Sequence, residues 1–96
     1  MSVKFEWDPD KAASNLKKHR IGFDEASTVF GDPLAFIFDD EDHSQDEQRE
    51  IIIGHSIMQR IILVSYTERG QDLIRIISAR QTTTRERKDY EKNNYQ

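Results

Sequence analysis

The chain reads as one α+β domain of element order β-α-α-β-β-β-β-α, with two helices before an antiparallel meander and one after it. Three observations predict this. The second half holds β-branched runs joined by links short enough for hairpins. A proline at position 9 marks a helix start. Thr83 followed three residues later by Glu86 is a capping-box pattern.

Taken in order, Val3–Trp7 predicts a short first strand. Asp8 then serves as N-cap and Pro9 opens a helix, where a missing N–H costs nothing. Ala12, Ala13 and Leu16 fall on one face of it, Lys17, Lys18, His19 and Arg20 suit its C-terminal end, and Gly22 is the expected stop. A second helix from about Asp24 to Phe30 would bury Phe23, Ala26, Val29 and Phe30, until Gly31-Asp32-Pro33 breaks it. Leu34–Phe38, Glu50–Ser56, Arg60–Thr67 and Leu73–Ala79 read as the strands, the last two linked by residues 68–72. The final helix starts after Thr83 and runs to about Lys92. The helices are expected on one side of the sheet.

At 96 residues the chain supports a single core, so residues 1–96 are expected to form one domain. Cysteine is absent, which excludes disulfides, thiol nucleophiles and cysteine-ligated zinc. No run approaches the roughly 18 apolar residues of a membrane span, and no signal peptide opens the sequence, so a cytoplasmic location without membrane contact is the expectation. The net charge of -4 is unevenly spread. Residues 1–50 carry six Lys/Arg against thirteen Asp/Glu, and residues 51–96 carry eight against five. Much of the acid lies in the loop from Asp39 to Glu50, with Asp39–Asp42, Asp46 and Glu47. It lacks the calcium-loop pattern and reads as solvated or partner-facing. The basic half is rich in arginine, whose planar fork suits phosphate.

Three places can carry chemistry, each with a plainer alternative. The strand L-I-R-I-I-S-A-R holds Arg75 among isoleucines, where burial alone rarely places a guanidinium; a solvated strand face explains it equally. Strict alternation sets Arg75 and Arg80 on opposite faces, and only a bulge or strand end before Arg80 brings them together. Lys11, Lys18 and His19 form a cationic cluster on the first helix, although Lys17–Arg20 also complement the helix dipole. No zinc spacing surrounds His19, so no metal is expected. The terminal helix carries Arg85, Arg87, Lys88 and Tyr90, with Arg87 and Glu91 spaced as an ordinary surface pair.

The segments F-E-W-D-P-D-K (5–11), N-L-K-K-H (15–19) and F-D-E-A (23–26) resemble the opening of the BrnT toxin family. F-G-D-P (30–33), Y-T-E-R (66–69) and R-I-I-S-A-R-Q-T-T-T-R-E-R-K-D-Y (75–90) continue the resemblance in order along nearly the whole chain. It implies a RelE-like fold and a ribonuclease that cleaves RNA to arrest translation and growth, without cofactor. It also implies a BrnA-like ribbon-helix-helix antitoxin as partner. Operator DNA would be reached only through that antitoxin, in a complex that represses its own operon. Metal-free cleavage needs a base for the ribose 2′-OH, cations around the phosphorane and an acid for the leaving oxygen. Arg75 and Arg80 are assigned to the phosphate, His19 and Glu68 to proton transfer, and Lys11 to added positive charge. Tyr66 and Tyr90 are candidates to stack on a base or donate a proton, and Arg69 and Arg87 to contact the substrate. The main alternative is an inactive binding module acting as co-repressor with the antitoxin. A lone DNA-binding regulator is disfavoured by the acidic pI of about 5.3 and the lack of a helix-turn-helix pattern.

Overall fold

The Asp8-Pro9 signal does what its chemistry requires. In a computed structural model, which describes residues 3–43 and 47–94, the Asp8 carboxylate accepts from the Asp10 N–H at 2.9 Å. Helix α1 then runs Pro9–His19 behind strand β1, Lys4–Glu6. Its stop is not Gly22. Arg20 takes the left-handed conformation at φ 61°, and its N–H closes onto the Leu16 carbonyl at 2.9 Å. Helix α2, Phe23–Thr28, is shorter than expected and ends in a 3₁₀ turn, Val29–Gly31. Strands β2 (Phe36–Asp39), β3 (Glu50–His55), β4 (Ile61–Gly70) and β5 (Leu73–Gln81) follow, and then helix α3, Thr84–Asn94. The acidic loop is described except for residues 44–46, so Asp46 lies outside the described residues.

The four later strands form the expected antiparallel meander. The first strand joins it in parallel, against β5, giving the order β1-β5-β4-β3-β2. Only Leu73–Arg75 of β5 are paired with β1, so β5 becomes an edge strand from Ile76 onward. There Asn15 of α1 takes over part of the ladder. Its amide accepts from the Ala79 N–H at 3.0 Å and donates to the Ala79 and Ile21 carbonyls at 2.8 and 2.9 Å. A buried side chain thus closes backbone groups that would otherwise lack a strand partner.

Alternation along the strands builds two apolar clusters, one on each face. Ile52, Ile62, Val64, Tyr66, Ile76 and Ala79 pack with Ile21, Phe23, Ala26 and Val29 under α1 and α2. On the other face Ile53 and Leu63 pack with Tyr90 of α3, bordered by Phe36, Ile51 and Ile61. The three helices therefore do not share one side, as the sequence suggested. The second face also carries apolar residues that need cover, and α3 supplies it. A second long-range tie fixes α2 to the β3–β4 hairpin. Glu25, buried, accepts from Ser56 Oγ at 2.7 Å and from the Arg60 guanidinium, which also donates to the Arg20 carbonyl at 3.1 Å. The Arg60 hydrogen bond holds the Glu25 carboxyl below the usual range, against the opposing pull of burial.

Candidate nucleic-acid site

Strand β5 contains the bulge on which the two arginines depend. Tyr66 pairs with Ile76 and Ser65 with Ser78, which leaves Ile77 as the extra residue. The phase of the strand shifts there. Ile76 and Ala79 both enter the first core, and Arg75 and Arg80 both turn to the α3 face. Each guanidinium is held by a carboxylate from a neighbouring element. Arg75 donates to Glu6 of β1 at 2.8 Å, and Arg80 grips Glu86 of α3 with two bonds of 2.8 and 2.9 Å. Glu86 also caps its own helix, accepting from the Thr83 N–H at 2.9 Å while its N–H donates to Thr83 Oγ1 at 3.2 Å. These contacts, Arg80 foremost, pull the Glu86 carboxyl down to about 2 against the effect of burial.

The other sequence candidates fall in two further places. Lys11 and His19, with Lys18, line a groove of about 320 Å³ between α1 and the edge of β5, where Ile77 and Ser78 form the far wall. Glu68 and Arg69 stand at the end of β4 beside Glu47, Gln48 and Glu50. Arg69 is the extra residue of a second bulge and pairs with Glu47 at 3.4 Å. Burial, then Glu68 and Asp39, push the Glu50 carboxyl up, so this is a locally acidic surface.

The two tyrosines require correction as base-stacking residues. Tyr66 is 2% exposed, with its ring edge against Phe30 at 4.9 Å, and burial raises its hydroxyl above the ordinary range. Tyr90 is 1% exposed and roofs the second core. Neither ring has a face to offer a base. Arg87 does lie at the surface, with Glu91 at 3.8 Å.

What sequence reasoning missed is a chain of three groups at the end of β3. Tyr90 Oη donates to Asp32 Oδ2 at 2.8 Å and lies 2.9 Å from His55 Nδ1. The same Asp32 oxygen accepts the His55 backbone N–H at 2.8 Å, and its Oδ1 accepts from the Leu34 N–H at 2.9 Å. Burial pushes the Asp32 carboxyl up, but these donors and the His55 ring together hold it below the usual range. The His55 side chain is 48% exposed. It borders a cleft of about 280 Å³ between the β3–β4 turn and the start of α3, with Arg60, Thr82, Thr84 and Arg87. The one local sequence signal was Gly54. A Cβ there would stand 2.8 Å from Asp32 Oδ2 and 3.0 Å from the Ala35 Cβ, so the strand needs glycine for the aspartate to reach it. Among the described residues no three His, Asp or Glu side chains are grouped to hold a metal ion.

Residues 7–86 match the family described as "Ribonuclease toxin, BrnT, of type II toxin-antitoxin system". The chain belongs to the BrnT family. It is a ribonuclease toxin of a toxin–antitoxin system, and an antitoxin is its partner. The fold agrees. The 1.1 Å crystal structure of the Brucella abortus ribonuclease toxin BrnT is similar with a TM-score of 0.66 and 24% identity, over 86% of this chain and 100% of that one. No curated protein matches the sequence. The stretch shared with the BrnT family takes in Arg75, Arg80, Asp32 and His55, and stops short of Arg87 and Tyr90. Among the described residues no helix is long and apolar enough to cross a membrane.

Proposed function

We propose that this BrnT-family chain cuts RNA without a metal, by attack of a ribose 2′-oxygen on the adjacent phosphorus, in the cytoplasm where it arrests translation. The observation that carries the reading is the bulge at Ile77, which gives the α3 face two guanidiniums from one strand. A phosphate laid there competes with Glu6 and Glu86 for Arg75 and Arg80, and bidentate guanidinium contacts are suited to the charge that builds in a phosphorane. Lys11, across the β5 edge, enters as a cationic contact to the flanking RNA backbone, with His19 beside it as a hydrogen-bonding one, and Arg87 as a cationic contact on α3. Glu68 and Arg69 are less suited to RNA contact, because Glu47 and Glu50 beside them repel phosphate.

The partner in this reading is a BrnA-like ribbon-helix-helix protein that covers the toxin, binds operator DNA for both and represses their operon. The outer strand β2, with Ile37 and Phe38 exposed and Asp39–Asp42 at its end, offers it an edge and an acidic flank.

Expression of the chain alone tests the proposal. Growth should stop and RNA should fragment, and Arg75→Ala or Arg80→Ala should abolish both while antitoxin binding stays measurable. Intact RNA and normal growth with the unaltered chain would leave the co-repressor reading in its place. Full toxicity in both variants would remove the arginines from the mechanism.

A further inference from the structure

The geometry points to His55 as the general base of the cleavage, with Tyr90 and Asp32 as the residues that position it. This rests on the RNA-cleaving reading above and names the proton acceptor that it requires. The orientation follows from the hydrogen bonds. Asp32 Oδ2, as an acceptor, receives the Tyr90 hydroxyl proton, so the phenol oxygen is left to accept from His55 Nδ1–H. The neutral ring then carries its lone pair on Nε2. An imidazole fixed at one nitrogen by a hydrogen-bonded acceptor, with the other nitrogen available, is the arrangement that proton abstraction requires.

The surroundings suit an RNA phosphodiester. Thr82, Thr84 and Arg87 on the α3 side and Arg60 on the turn border the cleft with His55. The charged or titratable groups around the ring are Asp32 from the segment after the 3₁₀ turn, Tyr90 and Arg87 from α3, and Arg60, which is itself tied to Glu25. Arg80 is joined to the same helix through Glu86, one residue before Arg87. In the step, His55 Nε2 takes the proton of the ribose 2′-OH and the freed oxygen bonds to phosphorus. The bond from phosphorus to the 5′-oxygen breaks, leaving a 2′,3′-cyclic phosphate. The departing oxygen takes a proton from water in the open cleft, and His55 returns its own proton to solvent.

The test follows cleavage of a labelled messenger RNA in a cell-free translation reaction, which presents free and ribosome-bound RNA together, across the neutral pH range. With the wild-type chain the rate should rise with pH, as catalysis by a general base requires. His55→Gln should lower the rate by about 10²–10⁴-fold and erase that rise, the range ascribed to a positioned proton-transfer group. Tyr90→Phe keeps the packed ring and removes only the hydroxyl. It should lower kcat with KM unchanged and move the pH profile, which loss of packing alone would not do. Circular dichroism and antitoxin binding verify that both variants fold. A His55→Gln chain that cuts at the wild-type rate, or that keeps the pH rise at a lower rate, overturns the role of His55 while the ribonuclease reading stands. Intact RNA with the wild-type chain overturns both.

Discussion

The two faces of the sheet are built on opposite principles. Under α1 and α2, ten buried residues from α2, its two flanks and three strands close one continuous apolar cluster, with Phe5, Trp7 and Phe30 around its margin. Under α3, three buried residues do the same work, bordered by Phe36, Ile51 and Ile61, and beside them the face is polar: Ser65 and Thr67, with Arg75, Arg80 and His55 tied down by Glu6, Glu86 and Tyr90. Dispersion and water exclusion hold the first face, where each contact adds stability. Directional bonds between charged groups hold the second, and these contribute little net stability while fixing orientation. The closed face carries the fold and the open face has groups left over for a substrate.

Truncation should separate the faces. Phe23→Ala removes a ring that is 2% exposed and makes an edge contact with Trp7, so it should cost about 3–5 kcal/mol in urea unfolding. A loss under 1 kcal/mol would mean that the first face is not the main support. Asn15→Ala strips three hydrogen bonds from the seam of α1 with β5 and should cost about 2–3 kcal/mol, leaving the Ala79 groups unpaired. Amide exchange at Ala79 measures it directly and should rise in the variant.

Acid should act on the polar face first. Glu86 and Asp32 both titrate below their ordinary values in the folded chain. The stability they lend is fully present above the ordinary carboxylate range and is lost as pH falls through it, toward about 2 for Glu86. Because the Arg80 and Glu86 side chains are 39% and 28% exposed, solvent screening reduces their share to about 1–2 kcal/mol. Unfolding midpoints at pH 7, 4 and 3 should decline in the wild type and less steeply in Glu86→Gln. The smallest effect on stability is expected from Arg75→Ala, within about 0.5–1 kcal/mol, since its partner Glu6 is itself at the surface. If that variant unfolds as readily as Phe23→Ala, the division between the faces fails.

What could be read from the sequence follows the same division. Helix starts, the capping box at Thr83 and Glu86, and the meander depend on neighbours within a few residues, and all are present. The bulge was visible only as a condition on Arg75 and Arg80, since nothing in I-I-S-A marks Ile77 as the surplus residue. Asp32 looked like a helix breaker within Gly-Asp-Pro, and Tyr90 like a residue facing the substrate rather than one roofing a core. Their meeting with His55 spans 58 and 35 positions of chain, beyond any local pattern. The core packing of Tyr66 was hidden because a tyrosine before Thr-Glu-Arg fits a surface role equally well.

The surplus residue at Ile77 also sets a rule for related chains. Strands normally absorb substitutions and reject insertions, because one added residue inverts the order of sides beyond it. Here the inversion is already built in, and arginines five positions apart look the same way. A relative whose strand lacks the extra residue must space its two guanidiniums by four or six to present the same pair. Aligning such a chain to this one without a gap at residue 77 would then superimpose groups that point to opposite sides beyond it. Straightening the strand with all its residues kept would turn position 80 inward, to where Ala79 now packs, whereas deleting residue 77 from this chain leaves the arginines four apart and on the same side.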